Sequence, residues 1–257
     1  MGSPQKTTSG SAATGVSLVS VVIPAYNEET RLSATLDSIW NYLHDNHYVF
    51  EIIVVDDGST DQSVSVAEDF AKSHSNVRVI RYAPNRGKGF AVRTGILEAQ
   101  GDYILFSDAD LATPIDELKS LMKEILAGQD IAIASRAVHG SRLVVRQPWY
   151  REFAGRSFNL VVQALAVPGI HDTQCGFKLF KRIPAKAVFA RCVEDGFAFD
   201  IEALFIARKL GYVIVEVPVH WMHRDESKVR LFRDATRMLI AILRIRKGNY
   251  QRTGVTP

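Results

Sequence analysis

The chain has 257 residues, 47% hydrophobic and 23% charged, a balance that fits a soluble globular protein and excludes disordered and fibrous classes. A formal charge of +3 supplies no global field for a nucleic-acid partner, and two cysteines, Cys175 and Cys192, make no disulfide framework, which points to a reducing cytosolic compartment. No apolar run reaches the length of about 18 that spans a bilayer, and the amino terminus lacks a charged-then-apolar signal layout.

Residues 1–17, rich in Gly, Ser, Thr and Ala, read as a disordered arm or an expression remnant. Residues 18–23 (Leu-Val-Ser-Val-Val-Ile) read as a buried strand stopped by Pro24, and a helix is expected over 31–43 from Leu32, Leu36, Ile39 and Leu43. A second strand, 51–55, ends at Asp56-Asp57-Gly58-Ser59-Thr60-Asp61, where Ser59 or Thr60 can cap a helix carrying Val64, Ala67 and Phe70. Residues 77–80 form a third strand, followed by Asn85-Arg86-Gly87-Lys88-Gly89 and a helix through Gln100. A fourth strand ends at Asp108, Thr113-Pro114 opens a helix to about Ala127, and 130–135 form a fifth strand. Strands alternating with helices predict an α/β fold with a doubly wound, mostly parallel sheet.

The pattern changes after Arg136. Residues 139–156 are basic and aromatic, with Arg142, Arg146, Trp149, Tyr150, Arg151 and Arg156, and a helix is expected over 150–166. Residues 169–180 read as a loop running into a strand, and Phe197-Ala198-Phe199-Asp200 leads a helix through Leu210, stopped by Gly211. Residues 213–217 read as a strand that Pro218 confines to an edge or a strand end. The segment 229–247 carries Leu231, Ala235, Met238, Ile242 and Ile245 on one helical face, widened by Phe232, Leu239 and Leu243, and with Lys228 just before it has seven cations against Asp234. Such a helix lies in a membrane interface, or packs on its own domain with a solvated basic rim.

Chemistry concentrates just after the strands. In Asp108-Ala109-Asp110 the two carboxylates stand at i and i+2 on extended chain, so they point the same way and can hold one hard divalent cation and, through it, a diphosphate; the plain alternative is a solvated turn. Glu28, Asp56 and Asp57 fall at ends of other strands on the same expected edge, where open α/β sheets bind ligands. Cys175 reads as a small buried residue. His220-x-x-His223 has a ligand-like spacing but no Cys or acid at matching distance. Asp200 and Glu202, at the start of a helix, do not share a face; Asp200 either caps the helix or touches an acceptor site.

Val21-Val22-Ile23-Pro24-Ala25-Tyr26-Asn27-Glu28, Val54-Val55-Asp56-Asp57-Gly58-Ser59-Thr60-Asp61, Asn85-Arg86-Gly87-Lys88-Gly89 and Asp108-Ala109-Asp110 resemble the family 2 glycosyltransferases of the GT-A fold. Asp172-Thr173-Gln174-Cys175-Gly176-Phe177-Lys178-Leu179-Phe180 and Ala198-Phe199-Asp200 look most like the dolichyl-phosphate β-glucosyltransferases within that family, relatives of the dolichyl-phosphate mannose synthases. The resemblance spans about 18–247. It implies that Pro24, Tyr26 and Glu28 frame the uridine, with one or both of Asp56 and Asp57 bonding uracil or ribose. Lys88 would reach the sugar or a phosphate, against the alternative of a solvated loop lysine. Asp108 and Asp110 would bind Mg²⁺ or Mn²⁺. The synthases place a glutamine two residues after this pair; here it is Ala112, so water would replace that ligand. Arg136 and Arg151 align with phosphate-holding arginines, although Gly155 stands where the synthases have a serine. Asp172 occupies the place of the catalytic carboxylate, as a general base or as an orienting group, the alternative being an aspartate that caps its own loop.

The implied function is inverting, metal-dependent transfer of glucose from UDP-glucose to a dolichyl or undecaprenyl phosphate. The domain would span 18–228, with a nucleotide-sugar half (18–136) and an acceptor half (137–228), and 229–257 would form a basic membrane-facing helix and tail. A peripheral location at the cytoplasmic face of a membrane follows. The rivals are transfer from GDP-mannose, transfer to a lipid or protein hydroxyl, and a nucleotide-sugar-binding protein without turnover. The absence of Gln-x-x-Arg-Trp argues against processive polysaccharide synthases.

Overall fold

The computed structural model describes residues 17–145, 159–160, 162–222, 231–248 and 250. Three apolar runs, β-branched in the first two and aromatic-rich in the third, form the parallel strands β1 (Leu18–Ala25), β2 (Val49–Asp56) and β4 (Tyr103–Ser107), with β3 (Val77–Arg81) outside β2. Because β1, β2 and β4 run in one direction, their acid-bearing ends meet at a single edge, and Ala25 pairs with Asp56 across it. The sheet has seven strands in the order β3-β2-β1-β4-β7-β5-β8, adding β5 (Ile131–Ser135), β7 (Phe177–Lys181) and β8 (Ile214–Pro218). Strand β7 is antiparallel to both β4 and β5, so it brings the loop before it to the same edge as Asp108. Strand β8 lies at the sheet's end, as Pro218 requires.

Helices cover both faces, which is why the inner strands read as continuous apolar runs. On one face lie α1 (Leu32–Asp45), α2 (Ser63–Ser73) and α4 (Leu118–Leu126), burying Leu36, Ile39, Ala67 and Leu121 against Val21, Ile23, Val54 and Leu105. On the other lie α3 (Lys88–Glu98), α5 (Arg182–Phe189), α6 (Phe199–Lys209) and α7 (Leu231–Lys247), packed over Val22, Ile53, Phe106 and Phe180. A separate two-stranded ribbon pairs β6 (Arg142–Val145) with β9 (His220–Met222).

Several expectations change. Pro24 does not stop β1: it lies beyond the last residue paired with β4, so its missing N–H leaves no ladder bond unmade, and it stays in register with Val55. Neither Ser59 nor Thr60 caps α2. The helix starts at Ser63, whose backbone N–H and hydroxyl donate to Asp61 Oδ1, while Ser59 Oγ accepts the Asn27 N–H. Of the helix expected over 150–166, residues 159–160 and 162–165 are helical; Arg151 and the rest of 146–158 lie outside the described residues. Asp200 makes no helix cap.

Helix α7 chooses the packed alternative over its carboxyl-terminal half. Met238, Ala241, Ile242 and Ile245 are buried in the domain core, while Leu239, Ile240 and Leu243 form a second apolar strip open to solvent, next to exposed Arg244, Arg246 and Lys247. No helix among the described residues is long and apolar enough to cross a membrane.

Candidate active site

The strand ends and the loops that follow them enclose a cavity of about 510 Å³. Its wall brings together Pro24, Tyr26, Glu28, Asp57, Lys88, Asp108, Asp110 and Arg136, eight of the residues singled out in the sequence. Asp56 and Asp172 stand behind the wall, both nearly inaccessible. Residues given no site role from the sequence also line it: Arg31, Asn85, Gln174, Gly176, Phe197 and Trp221.

The loops after β1 and β2 are stitched to one another. Asn27 sits at φ 52°, its Oδ1 accepts the Thr60 N–H at 2.8 Å, and the Glu28 N–H donates to Ser63 Oγ at 2.7 Å. The Glu28 carboxylate pairs with Arg31. The neighbouring acids divide their work. Asp57 accepts from Asn85 Nδ2 (2.8 Å), Arg86 N (2.7 Å) and Gly87 N (2.9 Å), so its carboxylate builds the loop that carries Lys88. Asp56 Oδ2 accepts the Gly58 and Ser59 N–H groups, but its buried Oδ1 has no hydrogen-bond partner among the described residues. The Gly87-Lys88-Gly89 spacing has a packing cause: a Cβ at Gly89 would stand 2.4 Å from the Glu194 carbonyl.

Lys88 is not a solvated loop lysine. It opens α3, and its Nζ lies 2.6 Å from Asp108 Oδ1. Burial works against the Lys88 cation, but Asp108 and Asp200 outweigh it and hold the ammonium above its ordinary pKa. The Lys88 ammonium is the charge partner of Asp108 Oδ1, which has no other donor among the described residues. Burial, and then the neighbouring Asp108 charge, push the Asp110 carboxyl up; its Oδ1 accepts the Ala112 N–H at 2.9 Å. Two carboxylates at i and i+2, one already holding a cation at its oxygen and one penalised for its charge, supply the hard oxygen donors that fit a divalent cation. Among the described residues, no three His, Cys, Asp or Glu side chains cluster as a metal site, so these two carboxylates would share the ion with water or phosphate.

The opposite wall is an ion pair. Arg136, following β5, donates from Nε (2.7 Å) and Nη2 (2.9 Å) to the two oxygens of Asp172, and its backbone N–H adds a third bond at 2.9 Å. Burial opposes the Asp172 charge, yet Arg136 holds this carboxyl below the ordinary range. Asp172 also accepts its own loop's Gln174 N–H, so it both caps that loop and pairs with the arginine. Glu216 on β8 fixes the segment, accepting from Asp172 N, His171 N and Ser135 Oγ. Asp200 neither caps α6 nor lines the cavity: it is buried against Lys178. Cys175 is buried beside Thr113, and His220 is bonded to Glu117 at 2.6 Å; His223 lies outside the described residues.

Solved structures share this architecture. The Mycobacterium tuberculosis glucosyl-3-phosphoglycerate synthase in complex with Mn²⁺ and UDP-glucose superposes with a TM-score of 0.67 at 21% identity, covering 90% of this chain and 79% of that one. Mannosyl-3-phosphoglycerate synthase from Rubrobacter xylanophilus gives 0.66 at 21% identity over 89% of this chain and 72% of its own. These likenesses show the fold, a mostly parallel sheet with flanking helices shared with the two synthases. The profile of "Glycosyl transferase family 2" matches residues 20–189, and the chain belongs to that family. It is 41% identical to a mouse dolichyl-phosphate β-glucosyltransferase over 82% of this chain and 69% of the relative, and 34% identical to the Saccharomyces cerevisiae protein of that name over 89% and 74%.

Proposed function

We propose that this enzyme transfers glucose from UDP-glucose to a polyprenyl phosphate, dolichyl or undecaprenyl, with inversion and with Mg²⁺ or Mn²⁺ at Asp108 and Asp110. The observation that carries the reading is the cavity at the sheet edge: acids at three strand ends line, together with Lys88 and Arg136, a space sized for a small ligand. The names of the mouse and yeast relatives support the lipid phosphate, and the Mn²⁺ and UDP-glucose of the mycobacterial structure support the donor.

Pro24, Tyr26 and Glu28 frame the uridine, and the cavity-facing Asp57 accepts from base or ribose, with Asp56 behind it holding the Gly58 and Ser59 N–H groups. Asp108 and Asp110 hold the cation, which when bound offsets charge on the departing diphosphate. Lys88 steers a phosphate or the sugar. Arg136 has five N–H donors and Asp172 takes two of them from its side chain, so the remainder, with Arg151, can meet the acceptor phosphate. That phosphate is its own nucleophile, since a monoester's second pKa is near 6. Its oxygen attacks the anomeric carbon as the bond to the diphosphate breaks, and UDP leaves with the electron pair. No strong base is needed, which suits the lowered pKa of Asp172; its part is to orient Arg136 and the acceptor.

The nucleotide sugar occupies the half formed by 18–136 and the acceptor the half formed by 137–228. The exposed Leu239, Ile240 and Leu243 with Arg244, Arg246 and Lys247 suit an anionic bilayer surface at the cytoplasmic face, and Gln174, bonded to Met238, ties this helix to the cavity wall. The test offers radiolabelled UDP-glucose, GDP-mannose and UDP-N-acetylglucosamine to the purified protein with a polyprenyl phosphate. Label from UDP-glucose enters the organic phase; no organic-soluble product from any donor sinks the proposal.

A further inference from the structure

Lys178 and Asp200 form a buried ion pair that the transfer step does not use. Lys178 lies on β7 opposite Phe106 of β4, 2% exposed, and Asp200 stands in the first turn of α6, 5% exposed. A pair withdrawn this far from water contributes little net stability against an apolar pair of the same size, so its presence asks for another reason. The lysine reaches back along its own chain. Its Nζ donates to Asp200 Oδ1 and, at 2.6 Å, to the Cys175 carbonyl.

That carbonyl belongs to the peptide joining Cys175 to Gly176, and Gly176 is the residue against which Asp108 is seated. The Asp108 N–H donates to the Gly176 carbonyl at 2.9 Å, and a Cβ at Gly176 would fall 1.9 Å from Asp108 Oδ2. The chain of contact is therefore Asp200, Lys178, the Cys175–Gly176 peptide, then the Asp108 carboxylate. Asp200 also carries the negative charge that balances Lys178. Without it, the Lys178 ammonium would be left buried and uncompensated, and its hold on the Cys175 carbonyl would loosen.

We infer that Lys178 and Asp200 are positioning residues: they fix the backbone behind Asp108 so that its carboxylate, with that of Asp110, presents a divalent-cation site. The inference rests on the reading of Asp108 and Asp110 as the metal-binding pair. Groups that orient metal ligands typically change affinity by roughly 10–100-fold when removed.

The test titrates Mn²⁺ into the metal-free full chain and follows free Mn²⁺ by electron paramagnetic resonance, with a melting curve for each variant. Wild type binds one Mn²⁺; if it binds none, the metal reading fails and takes this inference with it. Asp200→Asn, close in shape, should melt cooperatively yet bind Mn²⁺ at least about tenfold more weakly. Lys178→Met/Asp200→Leu removes both charges and the bond to the Cys175 carbonyl, and should also bind weakly. Leu204→Ala, a buried change on the same helix, should lower the melting temperature and leave Mn²⁺ affinity unchanged. If wild type binds and either Lys178–Asp200 variant matches its affinity while folded, the pair does not position the site and the inference is overturned. Equal weakening by Leu204→Ala would make the effect merely structural and overturn it too.

Discussion

Gly176→Ala tests the geometry of the site with a single methyl group. Gly176 has no positive φ, so alanine meets no backbone penalty there and acts only through its side chain. The added carbon would lie 1.9 Å from Oδ2, 2.2 Å from Cγ and 2.5 Å from Oδ1 of Asp108. The carboxylate must retreat by about 1.5 Å to reach ordinary contact near 3.4 Å. It can do so, because Asp108 borders the cavity, and the loss of stability should stay near the lower end of the roughly 1–3 kcal/mol typical of overpacking. Catalysis has no such tolerance. A misplacement of about 1 Å can cost on the order of 100-fold, so turnover should fall at least that far, about 2.7 kcal/mol in the barrier. The assay is radiolabel transfer from UDP-glucose at saturating Mn²⁺, with a denaturant melt of the same preparation. A folded Gly176→Ala enzyme within about threefold of wild type would refute the claim that the Asp108 carboxylate must sit where it does.

Mn²⁺ should raise the melting temperature of wild type and not of Asp110→Asn, because burial and Asp108 penalise the Asp110 charge until a cation offsets it; an equal rise in both removes Asp110 from the metal site. Arg136→Gln should destabilise the fold by about 2 kcal/mol, below the roughly 3–5 kcal/mol for breaking a fully buried pair, since Arg136 is 29% exposed. With the Asp172 pKa depressed, this stabilisation is fully present above the unfolded value of 3.8 and fades as pH falls through the folded one, so the gap to Arg136→Gln in denaturant melts should close in acid; a gap independent of pH refutes the pairing. Leu239→Ser/Ile240→Ser/Leu243→Ser should lose flotation with anionic vesicles while keeping its melting temperature, and unchanged flotation rejects the membrane-facing strip.

What the sequence disclosed was whatever is local to a strand and the turn after it. The apolar run into Asp108-Ala109-Asp110, the acids after β2 and the lysine between two glycines all depend on short-range pattern, and the cavity collects them. Partnerships between distant residues were not legible. Nothing near Asp172 announces that Arg136, 36 residues away, takes both its oxygens, or that Glu216 on β8 anchors its loop. One signal was available for the buried pair. In Phe177-Lys178-Leu179-Phe180 a lysine interrupts a strand otherwise built for the core, and such a charge needs a partner; Asp200 sits at the head of an apolar helix. The helix over 229–247 carried an apolar face wide enough for two roles. Its pattern did not say which strip the domain would bury, because that depends on the surface α6 offers.

The central claim is that a nucleotide sugar is consumed at a metal held by Asp108 and Asp110 to make a glycosylated lipid phosphate. The most direct measurement incubates the purified wild-type chain with radiolabelled UDP-glucose and dolichyl phosphate, with Mn²⁺ and again after chelation, and counts the organic phase. Label in the organic phase that vanishes on chelation and returns with added Mn²⁺ is the predicted result. Transfer that continues undiminished in chelator would contradict the metal-dependent account.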